Sequence, residues 1–293
     1  MTAPAATVAA LLGRDAPRLA QRLGVTRADA RRELQSLLRH TLQSPLASLI
    51  AHPERVLGAD DEVRYSQLVE RRLAGEPVAY LLGSREFHGL AFEVTPAVLI
   101  PRPETELLVD LAVEHLPQRA ALSVLDLGTG SGCVAITIAR LRPAASVTAV
   151  DASPQALEVA QRNAVREGVK VRFLQGSWYQ PLGGERFDLI RSNPPYVAAG
   201  DPHLREDGLP FEPELALVAG PGGLEALHHI VSGAAEHLDC RGWVLLEHGH
   251  DQGDAVAALL RSAGFAQIST HADLAGIARV TGGRLLTVVD AGG

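Results

Sequence analysis

Between residues 126 and 132 the chain reads Asp126-Leu127-Gly128-Thr129-Gly130-Ser131-Gly132, and few segments restrict a fold so closely. Val124, Leu125 and Leu127 make residues 124–127 a predicted buried strand, and apolar residues at helical spacing predict a helix over 132–141. A glycine turn from strand into helix lets backbone approach a ligand outside the strand's carboxyl end, as open parallel α/β sheets do. About twenty residues on, a second predicted strand over 146–150 ends at Asp151, where an acidic side chain can bind ribose hydroxyls. A glycine turn that merely packs strand on helix would not need those flanks. A dinucleotide site would want its last glycine at position 133, which is Cys133.

The rest of the chain supplies the frame. A helix over 154–167 with Ser153 as cap and strands over 169–174, 187–191, 243–246, 266–270 and 284–289 predict parallel crossover units, hence a doubly wound α/β domain. Residues up to Gly83 have helical rhythm instead. Thr26 with Asp29 starts a run carrying Leu34, Leu37, Leu38 and Leu42 on one face. Tyr65, Leu68, Val69 and Leu73 repeat the spacing, and Gly75 with Pro77 ends it. Arg31, Arg32, Arg71 and Arg72 read as solvated faces of these helices. Phe87, Leu90, Phe92, Val94 and Val98, set among Gly89, Pro96 and Pro101, suggest a hairpin connector. The expected organisation is a helical domain over 1–83, a hairpin linker over 84–103 and a catalytic domain over 104–293.

Met1-Thr2-Ala3-Pro4 opens with no basic run before an apolar core, and no apolar run is long enough to cross a bilayer. Cys133 and Cys240 are too few for a disulfide framework or a zinc cluster. They suit a reducing cytoplasm, with Cys133 as a small apolar filler. The formal charge of −7 gives no global basic field for duplex nucleic acid.

The Asp-x-Gly-x-Gly-x-Gly loop resembles the cofactor loop of class I methyltransferases, which have a Rossmann-like fold. The resemblance implies S-adenosylmethionine as cofactor and S-adenosylhomocysteine as product. Asp126 and the loop would hold the methionine portion and Asp151 the ribose. The predicted strand over 187–191 leads into Ser192-Asn193-Pro194-Pro195-Tyr196 at the same carboxyl edge. Two prolines fix φ and remove amide donors, leaving local carbonyls free to accept from a ligand. A planar NH2 group offers two protons, one for the Asn193 side-chain oxygen and one for the Pro194 carbonyl. Those bonds orient the nitrogen and enrich its electron density as charge develops, while Tyr196 packs its ring on the flat group. No strong base is needed, because transfer is chiefly a positioning problem. By itself the tetrapeptide could be a strand-ending turn. It also occurs in enzymes that methylate adenine of DNA, RNA and glutamine, and local chemistry does not separate these.

The remaining motifs do. Pro77-Val78-Ala79-Tyr80-Leu81-Leu82-Gly83 with Phe87, and Leu99-Ile100-Pro101-Arg102-Pro103-Glu104-Thr105-Glu106, resemble the signatures of bacterial release factor glutamine methyltransferases of the HemK/PrmC type. So do Phe211-Glu212-Pro213 with Ala216-Leu217, Leu246-Glu247-His248-Gly249 and Arg279-Val280. This resemblance covers nearly the whole chain. It implies N5-methylation of the glutamine in the Gly-Gly-Gln motif of class 1 peptide chain release factors, modulating translation termination. It further implies that the helical domain helps dock the release factor; a monomer is expected, and the acidic charge balance argues against stable nucleic-acid binding. Carried over by position, Gly128, Thr129, Gly130, Ser131, Gly132, Asp151, Trp178 and Asn193 bind cofactor, and Asn193, Pro194, Pro195 and Tyr196 hold the glutamine. Trp178 would stack beside adenine, the plain alternative being a surface-capping aromatic. Two positions depart from the pattern: Ser177 stands where an acid often contacts the adenine amine, and Arg191 where an apolar or small residue is usual. A charge on a central strand needs a partner, so Arg191 is expected beside a carboxylate or solvent.

Rival readings are weaker. An adenine N6-methyltransferase should carry a basic recognition insertion, which this acidic chain lacks. A non-catalytic module keeping the fold would not need the glycine loop, Asp151 and Asn193 together. Glu247-His248-Gly249-His250 has no evident third ligand and reads as a strand-ending turn rather than a metal site. His228-His229 reads as helix surface. Pro101-Arg102-Pro103 reads as a lid on the cofactor site or a structural bend.

Overall fold

The computed structural model describes residues 6–118, 121–206 and 208–285; the readings of residues 1–4 and 286–289 lie outside them. The chain forms two compact units, residues 1–83 with 205–211 and residues 84–204 with 212–293.

The first unit is helical: α1 (Val8–Leu23), α2 (Arg27–Leu42), α3 (Leu46–Ala51), α4 (Ala59–Leu73) and α5 (Val78–Leu82). Thr26 caps α2, its hydroxyl accepting from the Asp29 N–H at 3.1 Å. Leu34, Leu37 and Leu38 point into a core shared with Leu12, Leu19, Tyr65 and Val69, where each buried leucine contributes roughly 1.5–3 kcal/mol. Gly75, at φ 102°, follows the end of α4. Arg72 corrects the sequence reading. It is buried, and its Nε donates to Glu33 Oε2 at 2.8 Å. The partner lies 39 positions earlier on α2, so helical spacing alone did not reveal it. A carboxylate at that distance makes burial of the guanidinium tolerable.

The second unit begins with the hairpin β1 (Ser84–Phe87) and β2 (Leu90–Glu93). It continues through α6 (Glu106–His115), β3 (Ser123–Leu127), α7 (Cys133–Leu141), β4 (Ser146–Asp151), α8 (Pro154–Glu167), β5 (Arg172–Gln175) and β6 (Phe187–Ser192). The chain then forms α9 (Glu225–His237), β7 (Leu238–Glu247), α10 (Gly253–Ser262), β8 (Phe265–Ala272) and β9 (Ala278–Leu285). Among the described residues seven strands make one sheet in the order β5-β4-β3-β6-β7-β9-β8. Pairings from β5 to β7 are parallel, and strand order reverses beside β3, so the carboxyl ends of β3, β4 and β6 open on one crevice. One face of the sheet packs on α6 and α7, with Phe87 and Phe92 of the hairpin in that core. The other packs on α9 and α10.

Three strands differ from expectation. β7 begins at Leu238 rather than 243, where Leu238 pairs with Phe187 of β6 ahead of a register irregularity. β5 starts at Arg172 rather than 169, because the Val169 N–H is spent on Ala164 O in the cap that closes α8 around Gly168. β9 starts at Ala278 and runs antiparallel to both neighbours, so the sheet is not wholly parallel. The expected strand began at 284, after Gly282 and Gly283; both glycines lie within β9. A Cβ on Gly282 would come 2.6 Å from Leu245 Cδ2, so the glycine permits close packing on β7. Among the described residues no helix is long and apolar enough to cross a membrane.

Candidate active site

The glycine loop leaves β3 at Leu127 and enters α7 with Gly132 as its cap residue. Gly128 and Gly132 have φ of 72° and 78°, a region L side chains resist. Their surroundings differ. A Cβ on Gly132 would strike Ile136 Cδ1 at 2.8 Å and Ala160 Cβ at 3.0 Å, whereas one on Gly128 would stand 3.7 Å from Trp178 Cζ3 and 4.0 Å from the Asn193 carbonyl oxygen. Gly132 therefore lets α7 and α8 close up. Gly128 opens the floor of a cavity of about 520 Å³, lined by the loop and by Asp151, Trp178 and Asn193.

Asp151 ends β4 and ties the loop down. One oxygen accepts from the Gly130 N–H at 2.8 Å and the other from the Ser153 N–H at 2.9 Å. Burial raises its pKa, and these backbone donors oppose the shift. Asn163 of α8 fixes the loop from behind, its Nδ2 donating to Ser131 O at 2.9 Å and to Glu93 O of the hairpin at 3.0 Å.

Asp126 and Arg191 are register partners on β3 and β6, and their side chains form a sealed ion pair beneath the loop. Arg191 thus has the carboxylate it was expected to need. Burial drives the Asp126 pKa up and the Arg191 pKa down, with the mutual attraction opposing each. Arg191 lines the cavity; Asp126 lies below it.

β6 delivers the Asn-Pro-Pro-Tyr segment to the same edge. Asn193 and Pro195 line the cavity, while Pro194, Tyr196 and Gly132 do not. Asn193 Nδ2 donates to the Thr105 hydroxyl at 3.1 Å. The Tyr196 carbonyl accepts from Gln252 Nε2 at 3.1 Å, and burial pushes the tyrosine phenol up. Thr129, Ser131 and Ser177 complete the polar lining, with Pro101 and Arg102 along the rim. Arg102 and the Ile100 N–H both engage the buried Glu212, the latter at 3.0 Å, so the Pro101-Arg102 segment is held by a carboxylate 110 residues away.

Three residues were given no role in the sequence reading. Thr105 lines the cavity and holds Asn193. His229 is exposed as expected, yet it lines the cavity with its ring 6.3 Å from that of Trp178. Glu247 is inaccessible, and neither oxygen makes a well-formed hydrogen bond among the described residues. Burial pushes its carboxyl up to about 7, opposed by the neighbouring Thr105 hydroxyl. The only sequence signals were the unexplained threonine after Pro103-Glu104 and a carboxylate ending a buried strand. His248 bonds Thr281 Oγ1 at 2.8 Å and the Gly249 carbonyl at 2.8 Å, both structural contacts. Among the described residues no group of three or more His, Cys, Asp or Glu could hold a metal ion. A shallower concavity of about 970 Å³ on the helical unit, lined in part by His40, Arg64 and Arg71, contains no predicted site residue.

The donor set fits a ligand with a charged amino-acid end, a ribose and a flat base. The Thr129 hydroxyl is buried beside Asp126 without a well-formed hydrogen bond, Gly128 leaves a cradle that a Cβ would narrow, and Asp151 and Trp178 both border the loop, the one at Gly130 and the other at Gly128. Comparison with known proteins agrees. Residues 105–205 match the methyltransferase small domain and residues 18–83 the PrmC N-terminal domain. The chain is 50% identical to a release factor glutamine methyltransferase of Bordetella pertussis, over 87% of this chain and 95% of that one. It is 48% identical to one of Xylella fastidiosa, over 89% and 94%. The fold is similar to that of a T. thermophilus 16S rRNA N2 G1207 methyltransferase solved with AdoMet and guanosine, with a TM-score of 0.53 at 22% identity over 69% of this chain and 49% of that one.

Proposed function

The chain belongs to the release factor glutamine methyltransferase family, and from that premise we propose that it methylates N5 of the glutamine in the Gly-Gly-Gln motif of class 1 release factors. In this reading it acts as a monomer in the cytoplasm, without stable nucleic-acid binding, and modulates translation termination. The helical unit is the candidate surface for docking the release factor.

One observation carries the reading: Asn193, which follows β6, and the glycine loop, which follows β3, border the same cavity, the Asn193 carbonyl 4.0 Å from where a Gly128 Cβ would be. S-adenosylmethionine, when bound, supplies an electrophilic methyl on a sulfonium. The loop from Gly128 to Gly132 with Asp126 beneath it is assigned to the methionine portion, Asp151 to the ribose and Trp178 to the base. Asn193 Oδ1 and the Pro194 carbonyl accept the two protons of the glutamine NH2, which aligns the nitrogen for in-line approach. Tyr196 supports this segment, held through its carbonyl by Gln252. No residue acts as a strong base, and the proton leaves once the new bond exists.

The test is incubation with methyl-labelled cofactor and a purified release factor, beside the same factor with its Gly-Gly-Gln glutamine substituted. Label should enter the first and not the second. Label in neither defeats the assignment, and tight salt-dependent duplex binding would revive an adenine substrate.

A further inference from the structure

Thr105 closes the 3-10 turn Pro103–Thr105 that runs directly into α6. Its backbone is already helical, at φ −67° and ψ −17°, so its hydroxyl is not placed to cap the helix and makes no capping bond. It is turned instead into the catalytic cavity, 2% exposed, and accepts from Asn193 Nδ2 across 88 positions of sequence.

An asparagine amide has two nearly equal ends, one donating and one accepting. If Asn193 receives a proton from a substrate NH2, its oxygen must face the substrate, because the flipped amide would set donor against donor. The backbone does not decide this; a rotation about one side-chain bond exchanges the ends. Thr105 decides it by occupying Nδ2. Oδ1 is reached by no donor among the described residues and is not among the sealed, unpaired atoms, so it remains open to the cavity. A hydroxyl can donate as well as accept, so its own proton must also be committed. Glu247, which ends the neighbouring strand β7, is the adjacent acceptor: both its oxygens are buried without a well-formed bond, and the nearby Thr105 hydroxyl acts to hold its carboxyl down.

We propose that Thr105 is a positioning residue for the methyl transfer, holding the Asn193 amide so that its oxygen faces the incoming glutamine, with Glu247 fixing the direction of the Thr105 hydroxyl. The proposal rests on the reading of Asn193 as acceptor of the glutamine amide. It assigns the threonine of the Pro101-to-Glu106 segment a task in catalysis rather than in folding alone.

Thr105→Val keeps the shape and removes the hydroxyl; Thr105→Ser keeps the hydroxyl and removes a methyl. Turnover of a release factor by full-length enzyme should fall roughly tenfold to a hundredfold in Thr105→Val, mainly in kcat, the range expected when a transition-state hydrogen bond is lost or misaimed. Cofactor affinity by calorimetry should stay close to that of the unaltered enzyme. Thr105→Ser should recover turnover to within about threefold. If Thr105→Val does not fold, Thr105→Ala serves as the hydroxyl-free partner of Thr105→Ser. Unaltered turnover without the hydroxyl overturns the proposal, and so does equal damage in Thr105→Ser, which would make the methyl's packing the cause. Asn193→Ala runs alongside. If it retains full turnover, the acceptor role of Asn193 itself fails; if it is inactive while Thr105→Val is normal, only the Thr105 proposal fails.

Discussion

Asp126 and Arg191 face each other across neighbouring parallel strands, paired side chain to side chain in a place water does not reach. Each is displaced from its ordinary pKa first by burial, in the direction that disfavours its charge. The pair is therefore held at a desolvation cost that its attraction only partly offsets. Asp126→Ala or Arg191→Ala alone should lower the stability of the ligand-free protein by about 3–5 kcal/mol, because either leaves an uncompensated buried charge. Asp126→Leu combined with Arg191→Met should recover most of that loss. Urea unfolding of the singles and the double checks it, and strict additivity would refute the coupling.

Gly128→Ala and Gly132→Ala separate two roles of the loop. Both incur the left-handed backbone cost of about 1–2 kcal/mol. Gly132→Ala additionally forces a methyl against Ile136 and Ala160, adding about 1–3 kcal/mol of overpacking. Gly132→Ala should thus have the lower urea midpoint without ligand. Gly128→Ala, whose methyl would sit beside Trp178 and Asn193, should lose more in cofactor affinity than in stability.

Trp178→Ala should weaken cofactor binding by about 1–3 kcal/mol, the range of a lost aromatic–base stack, with little change in melting temperature because the ring is only partly buried. Trp178→Phe should keep much of the affinity. Calorimetric titration with S-adenosylhomocysteine reads both, and an unchanged affinity in Trp178→Ala would leave the ring a surface cap.

Glu247 gives the protein a pH signature. Its carboxyl is raised to about 7 in the fold and lies in the ordinary glutamate range near 4.5 when unfolded. The folded state therefore holds the proton more tightly. Stability from this group is greatest below about pH 4.5, falls as pH rises toward 7 and is level above that, a total on the order of 3 kcal/mol. Glu247→Gln carries no such charge. The difference in unfolding free energy between Glu247→Gln and the unaltered protein should shift in favour of the variant between pH 5 and pH 8. A difference independent of pH would show that Glu247 titrates normally.

What was legible in the sequence was local. Thr26 and Ser153 act as the caps their positions suggested, with Ser153 Oγ accepting from the Ala156 N–H at 3.1 Å. The flanks of the glycine loop and the approach of β6 to Asn193 follow from patterns a few residues long. What escaped depends on partners far apart in the chain. Arg72 is buried because of Glu33, Thr105 turns inward because of Asn193, and Arg102 is anchored by Glu212. No spacing rule connects such positions. β9 was misplaced for a different reason: Gly282 and Gly283 break strand propensity locally, and the close approach of Leu245 that requires a small residue appears only once β7 lies alongside.

That last strand has a consequence for how the chain assembles. β9 is synthesised after β8 yet lies between β8 and β7, so the sheet cannot grow in the order the residues leave the ribosome. Until residue 278 and its successors are available, β7 presents the backbone from Trp243 to Glu247 with no neighbour on one side, an open template for a foreign strand. The natural solution is for β8 and β9 to form their hairpin first and dock as one piece, a long-range event and hence a slow one. A nascent chain stalled within β8 would be exposed to aggregation along that edge in a way the finished protein is not.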